Sequence, residues 1–564
     1  DEIAILRSLG VTAGQIRGAW LAESLALGLL GGVLGLALGW LGAQGAVRMV
    51  SRTVNALYHS SAAEAAALDP AEALLALLAS VATCLLAGWL PARTAAATPP
   101  AQLLARSPGA TDRHRGLWRH PLSALAWVSA GIVLCWVPPL RLDGGGRFPA
   151  AGYVAALVWV VGAGILGGRL LGKMAWHLGF LGRRSIAWRL ALSHIKDPSS
   201  RHRLASAALV CAVAMTAGMA ILIASFDGTM RGWIERTFQS DLFISSDGAQ
   251  SASTENRITP ETWRAVAGHP SVARAQVVQA VRMQLPEAET MLVGCDLGFF
   301  RDHARPAWVV APVSDTLFDP DRNHGEVLVS EAFADRFQRH VGDALPLPTP
   351  AGLKTAIIAG IFADYGNERG SVLMDRAAFV DWFGDELASS LVLMLKSGAD
   401  ADQVRSELRA AHPGLAVFTQ THLRAEALRI FRQTFSITYA LELIGVVVAV
   451  AGLGFTLMSL LWERREELAT LRSLGCHRRE IARATAIEGL LIAVSGVLAG
   501  LVVSLALGWL LIHRINRQTF GWTLETHRPW GFFAGLAALV LGAAWITGWG
   551  TGFRGAQLPV EREE

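Results

Sequence analysis

Apolar residues run in stretches of about 20 residues that contain almost no charge, and short basic loops separate most of these stretches. About 20 apolar residues is the length that a helix needs to cross the hydrocarbon core of a bilayer. The pattern therefore predicts a polytopic α-helical membrane protein with about eight spans. The predicted spans are 19–46, 71–91, 121–140, 149–172, 204–226, 436–461, 484–512 and 530–552.

One long polar segment, residues 227–435, interrupts the series of spans. Short β-rich runs such as Glu326–Ser330 and Thr355–Ile361 alternate there with helical stretches such as Pro260–Ala267 and Ala401–Ala411. A segment of about 200 residues is long enough to bury a core of its own. We therefore predict an α+β domain inserted between the fifth and sixth spans.

The distribution of charge indicates the orientation. The alternation of spans places three loops on one face: 92–119, 173–203 and 462–483. Together they contain 18 Lys+Arg and 6 Asp+Glu, whereas the loops on the opposite face contain 7 Lys+Arg and 4 Asp+Glu. By the positive-inside rule the basic loops are cytoplasmic. The inserted α+β domain is then expected on the external side of the membrane.

The composition excludes several classes of protein. Only 17% of the residues are charged, against roughly 25% in a soluble domain, and the basic excess lies in the membrane part, where it reports topology and predicts no nucleic-acid partner. The five cysteines are isolated from one another in the sequence. No motif for a catalytic nucleophile, a metal ion or a nucleotide occurs with the secondary structure that such a motif requires, so we expect no catalytic, cofactor or metal site. The first residue is Asp1 without a leader pattern, which predicts that the chain begins within a longer protein.

The chain repeats itself at an offset of 465 residues. Glu2–Gly10 (EIAILRSLG) matches Glu467–Gly475 (ELATLRSLG), and the match keeps its register for more than thirty residues. Each copy predicts a short amphipathic helix, a glycine that ends it, and then a span. The aligned pairs beyond the helix are Ile16 and Ile481, Glu23 and Glu488, Leu25 and Leu490, Gly31 and Gly496, and Gly35 and Gly500.

The amphipathic helix of each copy has two interpretations. It docks in a groove of a cytosolic partner, or it lies on lipid headgroups, as basic amphipathic helices do. Two copies in one chain suit a partner with two equivalent grooves, such as an ATPase dimer. The duplication therefore favours docking.

These residues resemble the FtsX/MacB-like permeases of ABC transporters over nearly the whole chain. The signature is the E-I-x-x-L-R-x-L-G helix of both copies, and Ala187–Ile195 resembles the amphipathic helix that precedes the first span of a family repeat. Val327–Ala334 and Val372–Phe379 are similar to the MacB-like periplasmic core domain. The resemblance implies the ten-span, two-repeat type, located in the bacterial cytoplasmic (inner) membrane with the α+β domain in the periplasm.

The resemblance also implies a function. A separate cytosolic ABC ATPase dimer would bind ATP and Mg²⁺, and this chain would transmit motion to the periplasmic domain for export or extraction of a lipid, lipoprotein or peptide-like substrate. Membrane lipid and a periplasmic protein or lipoprotein are the other implied partners. An envelope-anchoring or regulatory protein that controls cell-wall hydrolases, and a peptide-antibiotic sensing permease, are the alternatives. The residues implied to couple to the ATPase are Glu2, Arg7, Leu9, Gly10, Glu467, Arg472, Leu474 and Gly475.

Two further sets of residues lie within the predicted spans. Small residues four apart let helices approach closely in lipid, and this spacing predicts helix packing at Gly31, Gly35, Gly39, Gly496 and Gly500. A charge inside a span is costly and indicates a functional site, unless it stays near the interface and pairs with a nearby cation. The charged positions concerned are Glu23, Glu488 and Glu442.

The chain thus divides into five predicted segments. Residues 1–106 contain the coupling helix and the last two spans of the first repeat, and 107–182 contain a linking pair of spans. Residues 183–226 contain the amphipathic helix and first span of the second repeat. The periplasmic domain is 227–435, and 436–564 contain the last three spans and the second coupling helix.

Overall fold

The structure is a computed structural model, and the chain forms two units, Asp1–His120 and Pro121–Glu564. The described residues are 6, 9–57, 69–97, 121–141, 147–183, 185–196, 200–246, 256–286, 288–319, 321, 325–367, 369–463, 470, 472–473 and 475–555.

Helices dominate both units, and a single large sheet lies in the second. The helices are α1 (Ala13–Leu57), α2 (Pro70–Ala97), α3 (Pro121–Cys135), α4 (Ala150–His177), α5 (Ile186–Lys196), α6 (Ser200–Thr237), α7 (Pro260–Ala267), α8 (Glu331–Phe337), α9 (Arg376–Phe383), α10 (Ala401–Ala411), α11 (Gln420–Glu463), α12 (Arg478–Leu510) and α13 (Trp530–Gly555). The strands are β1 (Leu140–Arg141), β2 (Arg147–Phe148), β3 (Leu242–Ser246), β4 (Val272–Gln284), β5 (Glu289–Cys295), β6 (Trp308–Val310), β7 (Glu326–Ser330), β8 (Ala344–Thr349), β9 (Gly352–Phe362), β10 (Ser371–Asp375), β11 (Ser390–Leu395) and β12 (Leu415–Thr419).

Six helical stretches among the described residues are long and apolar enough to cross a membrane, and they coincide with six of the eight predicted spans. The other two, 121–140 and 436–461, contain shorter apolar stretches, Leu125–Cys135 and Leu443–Gly452. Helix α3 has 15 residues, which corresponds to about 22 Å and falls short of the roughly 30 Å hydrocarbon core. The six spanning stretches are Ala13–Gln44, Pro70–Arg93, Ala150–Phe180, His202–Thr237, Arg478–Phe520 and Trp530–Arg554.

In the first unit α1 and α2 pack closely through glycines of α1. A Cβ atom on Gly28 would lie 3.1 Å from the Cβ of Cys84, and one on Gly32 would lie 2.8 Å from the Cδ1 of Leu77. The hydroxyl of Ser80 donates to the carbonyl of Gly28 at 3.0 Å. Because these glycines carry no side chain, the backbone of α1 comes within hydrogen-bond distance of a side chain of α2.

In the second unit α12 packs closely along α6, again through glycines. A Cβ on Gly496 would meet the side chain of Leu209 at 2.6 Å, and one on Gly500 would meet Val213 at 2.7 Å. These two apolar side chains belong to a buried cluster that also includes residues of α5 and α13. The membrane core of this unit therefore has α6 and α12 at its centre.

The inserted domain contains a mixed sheet in the order β12-β3-β11-β4-β5-β10-β7-β9-β6, with β8 paired to β9. Strand β4 is 13 residues long and joins two halves, since its first part pairs with β11 and its second part with β5. Two buried clusters lie on the half that contains β5, β7, β9 and β10, and one lies on the half that contains β3, β11 and β12. The predicted elements at 260–267, 326–330 and 401–411 coincide with α7, β7 and α10.

Two helices run without interruption between the membrane part and this domain. Helix α6 has 38 residues and α11 has 44, which correspond to about 57 and 66 Å. Helix α6 ends five residues before β3, and α11 begins directly after β12. The domain is therefore attached through both chain connections by continuous helix.

Candidate functional site

A glycine in the left-handed region occupies the same position in both repeat copies. The φ angle is 94° at Gly10 and 95° at Gly475. Glycine adopts this region without the penalty that a Cβ brings, which is why it ends helices. The N–H of Gly475 donates to the carbonyl of Arg472 at 3.0 Å. Both copies thus turn sharply before the following long helix.

The next helix starts in the same way in both copies. The N–H of Thr12 donates to the Oε1 of Gln15 at 2.9 Å, and the N–H of His477 donates to the Oε2 of Glu480 at 2.9 Å. A side chain at the third helical position that accepts from the N-cap backbone satisfies a donor that the helix leaves unpaired. The two pairs are 465 residues apart, like the rest of the repeat. Sequence comparison missed them because the residue types differ.

A buried carboxylate lies between two histidines where α5, α6 and α12 meet. Glu488 is 6% exposed, its Oε1 lies 2.6 Å from the Nε2 of His202, and its Oε2 lies 3.4 Å from the Nδ1 of His194. An ionised carboxylate only accepts hydrogen bonds, so the two facing nitrogens donate. This arrangement joins the amphipathic helix α5 and the start of α6 to the span α12.

Sequence reasoning selected Glu488 but not its partners. The expected partner of such a charge was an arginine near the interface, whereas the structure supplies two imidazoles. Helix α12 begins at Arg478, so Glu488 lies nearly three turns into the helix. His194 falls within the quoted 187–195 motif, but its spacing gave no signal, because the contact joins residues nearly 300 positions apart.

The periplasmic end of the second unit has its own polar joint, between α8 and the segment that connects α12 to α13. The Oε2 of Glu331 accepts from the N–H of Thr523 at 3.0 Å and from its hydroxyl at 3.1 Å. The hydroxyl of Tyr365 donates to the carbonyl of Thr523 at 2.9 Å. Arg147 of β2 forms an ion pair with Asp335 of α8. No motif in the sequence pointed to these contacts.

Burial controls the electrostatics of this joint. Burial raises the pKa of Glu331 above its usual range, although the hydrogen bonds from Thr523 oppose the shift. Burial, reinforced by the nearby charge of Glu331, raises the pKa of Tyr365 to about 12. The tyrosine hydroxyl therefore stays protonated and remains a donor at neutral pH.

The same segment also contacts the outer part of α6. The N–H of Glu525 donates to the hydroxyl of Thr229 at 3.0 Å, and the N–H of His527 donates to the hydroxyl of Ser225 at 2.9 Å. The segment 521–529 thus lies between α6 and the inserted domain and contacts both.

The sequence profile of the FtsX-like permease C-terminal region matches residues 1–100 and 440–560, and that of the MacB-like periplasmic core domain matches residues 204–411. The chain belongs to the FtsX/MacB-type permeases. The two matched FtsX-like regions coincide with the two copies of the internal repeat. Family membership and the apolar helices place this permease in the inner membrane with its α+β domain in the periplasm.

An uncharacterized ABC transporter permease protein of Mycobacterium tuberculosis (strain H37Rv) is 30% identical over 555 residues. The alignment covers 93% of this chain but 61% of that relative, so the chain spans about three fifths of the relative's length.

Two solved structures resemble part of the permease. The periplasmic region of MacB from Actinobacillus actinomycetemcomitans covers 34% of this chain and 94% of its own, with 9% identity and a TM-score of 0.27. The extracellular domain of the noncanonic ABC-type transporter YknZ from Gram-positive bacteria covers 32% of this chain and 98% of its own, with 13% identity and a TM-score of 0.24.

The predicted coupling residues of the permease are only partly described. Leu9 is 76% exposed, and Arg472 is helical and exposed. Their role in coupling stays a prediction. Outside the described residues lie Glu2, Arg7, Glu467 and Leu474.

The predicted packing glycines differ between the two copies. Gly496 and Gly500 contact α6, whereas a Cβ on Gly31, Gly35 or Gly39 would meet no atom within 4 Å in the described part of the chain. The close contact in the first unit instead uses Gly28 and Gly32, which have the same spacing of four and could have been found from it.

The structure describes the side chain of only one of the other two predicted intramembrane charges. Glu23, the repeat equivalent of Glu488, is exposed in its unit. The side chain of Glu442 lies outside the described residues, and its role stays a prediction.

Proposed function

We propose that this permease transmits motion from a separate cytosolic ABC ATPase to its periplasmic domain. The observation that carries the proposal is the continuity of α11, which begins directly after β12 in the domain and ends at Glu463. The next residues, 464–475, form the segment that resembles the family's coupling helix. At about 66 Å, α11 is about twice as long as the hydrocarbon core is thick.

The second route runs through α12 and α6. Helix α12 follows Gly475 and packs along α6 through Gly496 and Gly500, and α6 continues outward to the domain. Tightly packed helices shift as bodies rather than deform. A displacement of 464–475 would therefore move α11 directly and α6 through α12, and the domain would change its tilt.

The chemistry of transport is divided between the subunits in this proposal. ATP and Mg²⁺ are bound and hydrolysed by the ATPase dimer, and the permease itself supplies no catalytic group. The expected substrate is a lipid, a lipoprotein or a peptide-like molecule, which the family resemblance suggests. Membrane lipid and a periplasmic protein or lipoprotein are the further partners proposed.

The test is co-purification of the full-length parent protein with the ATPase encoded beside it, in lipid nanodiscs. Reversal of charge in Arg472→Glu is expected to abolish both complex formation and stimulated ATP hydrolysis, because a glutamate there would repel the acidic groups of the ATPase that Arg472 is proposed to pair with. Arg554→Glu is the matched control, since Arg554 is exposed at the same side of the membrane at the end of α13. It should leave both activities at the wild-type level.

Two results would contradict the proposal. A wild-type protein that neither binds nor stimulates an ATPase would remove the coupling role and favour an envelope-anchoring protein. Equal losses in Arg472→Glu and Arg554→Glu would show that net charge, not the segment 464–475, determines binding.

A further inference from the structure

A cavity of about 150 Å³ lies between the outer end of α6 and the sheet of the periplasmic domain. Helix α6 contributes Trp233 and Arg236, and the sheet contributes the apolar side chains of Met291 and Leu373. Aromatic and aliphatic walls with a few polar groups are typical of small-molecule sites. A ligand here would touch the membrane helix and the domain at once.

Arg236 lines this cavity and has only a distant acidic partner among the described residues. Its Nε is fully buried and has no hydrogen-bond partner among the described residues. The nearest acidic oxygen, Oε1 of Glu525, lies 3.9 Å from a different nitrogen, Nη2, and the glutamate side chain is mostly exposed. Because Glu525 lies at the limit of an ion pair and stays mostly in water, it offsets little of the charge of Arg236, and that charge can attract an anion in the cavity.

A second arginine lines the same cavity in a rare backbone conformation. Arg305 has φ 40° and ψ 62°, in the left-handed region, directly after the helical turn Phe300–Ala304. A non-glycine residue in this region persists only where the surroundings require it, and such residues cluster at ligand sites. The cavity thus has two arginines among its lining residues.

One carboxyl also lines the cavity, but its oxygens are already engaged. Asp364 accepts from the N–H of Gly366 at 2.9 Å and from the hydroxyl of Ser371 at 3.0 Å. Burial raises the pKa of Asp364, which favours its uncharged form. The cationic groups therefore dominate the charge of the lining.

We propose that this cavity binds a small amphipathic carboxylate, with its apolar group against Trp233 and the sheet and its carboxylate on Arg236. The volume sets the size of the apolar group, because a cavity of about 150 Å³ accommodates a benzene ring. The source is either a free short acid or the carboxyl terminus of a peptide that ends in an apolar residue. This inference does not depend on the coupling proposed above, since binding is measured without an ATPase.

The experiment uses the full chain in lipid nanodiscs and equilibrium dialysis of radiolabelled 3-phenylpropanoate, with empty nanodiscs as the blank. Wild type is expected to bind saturably, and Arg236→Gln to bind about ten- to a hundredfold more weakly, the loss typical of a hydrogen bond to a charged group. Arg231→Gln is the matched control on the same helix, because Arg231 is exposed and paired with Asp227 outside the cavity. It should bind like wild type.

A second variant tests the cavity by volume rather than by charge. Ala304→Phe places a ring in the lining and is expected to abolish binding while Arg236 is retained. The uncharged 3-phenylpropanamide should bind wild type and Arg236→Gln equally weakly. Three results would each overturn the proposal. They are no saturable binding of 3-phenylpropanoate to wild type, wild-type affinity in Arg236→Gln, and full binding in Ala304→Phe.

A competition arm distinguishes the two sources. Displacement of the label by N-acetyl-alanyl-phenylalanine, but not by its C-terminal amide, would identify a peptide carboxyl terminus as the occupant. Binding of the free acid without displacement by that peptide would identify a free short acid. Both outcomes support a carboxylate site.

Discussion

Replacement of Glu488 by alanine tests whether the buried carboxylate joins α5 and α6 to α12. The variant removes both acceptors from a position that is only 6% exposed. A hydrogen bond to a charged group contributes about 1.5–3 kcal/mol. We assign most of that range to the 2.6 Å contact with His202 and only a small part to the 3.4 Å contact with His194. The expected loss is about 3 kcal/mol.

The Glu488→Gln variant shows how much of the expected loss of stability comes from the charge of Glu488 and how much from its shape. The amide keeps one oxygen that can accept from His202 and has nearly the same volume, but it loses the charge. The remaining neutral hydrogen bond contributes about 1 kcal/mol, so the loss in this variant should be roughly two thirds of that in alanine. Glu480→Ala is the control on the same helix, because its side chain accepts only at the start of α12, where losing a cap costs about 1 kcal/mol.

Hydrogen exchange measured by mass spectrometry in nanodiscs reports the effect locally. A loss of about 3 kcal/mol corresponds to roughly 150-fold faster exchange of amides that open with this contact. The acceleration is expected in α5 and the first turns of α6 for Glu488→Ala, but not for Glu480→Ala. Unchanged exchange in α5 of Glu488→Ala would refute the reasoning, since the carboxylate would then not hold that helix.

Three further outcomes are expected. Gly500→Val should separate α6 from α12 and lower the thermal midpoint, because its Cβ would lie 2.7 Å from Val213; an unchanged midpoint would contradict the close packing. Tyr365→Phe should cost about 1 kcal/mol and speed exchange around Thr523, which loses its donor; wild-type exchange there would argue against the joint. Burial raises the pKa of Asp364, so its contribution to stability is greatest below its unfolded pKa near 4 and falls as the pH rises through the raised value. Asp364→Asn should lose less stability than wild type as the pH rises above about 4, and parallel pH profiles would contradict this.

Local patterns in the sequence were enough to predict several features. Runs of apolar residues predicted the spans, and the left-handed Gly10 and Gly475 stand where the repeat places a helix stop. The elements at 260–267 and 401–411 appear at the predicted bounds. Each of these features depends on neighbours in sequence, through periodicity, helix termination or residue preference.

Contacts between distant segments followed from tertiary packing alone. Which glycine pair of α1 faces α2 depends on the rotation of two helices, and the spacing of four fits Gly28 and Gly32 as well as Gly31 and Gly35. The pairing of Glu488 with His202 joins residues 286 positions apart. No local rule specifies such a partner.

The sequence by itself determined that this is a membrane permease with an inserted α+β domain, because hydropathy and motifs depend only on residues that are close together in the chain. It placed the ends of two spans at 226 and 436, where polar residues begin. The structure instead continues α6 to Thr237 and begins α11 at Gln420. A helix outside the bilayer needs no apolar run, since its polar side chains are stabilised by water and by the domain it contacts. The extension of α6 contributes Trp233 and Arg236 to the cavity and Thr229 to the contact with segment 521–529, and only the folded arrangement shows these contacts.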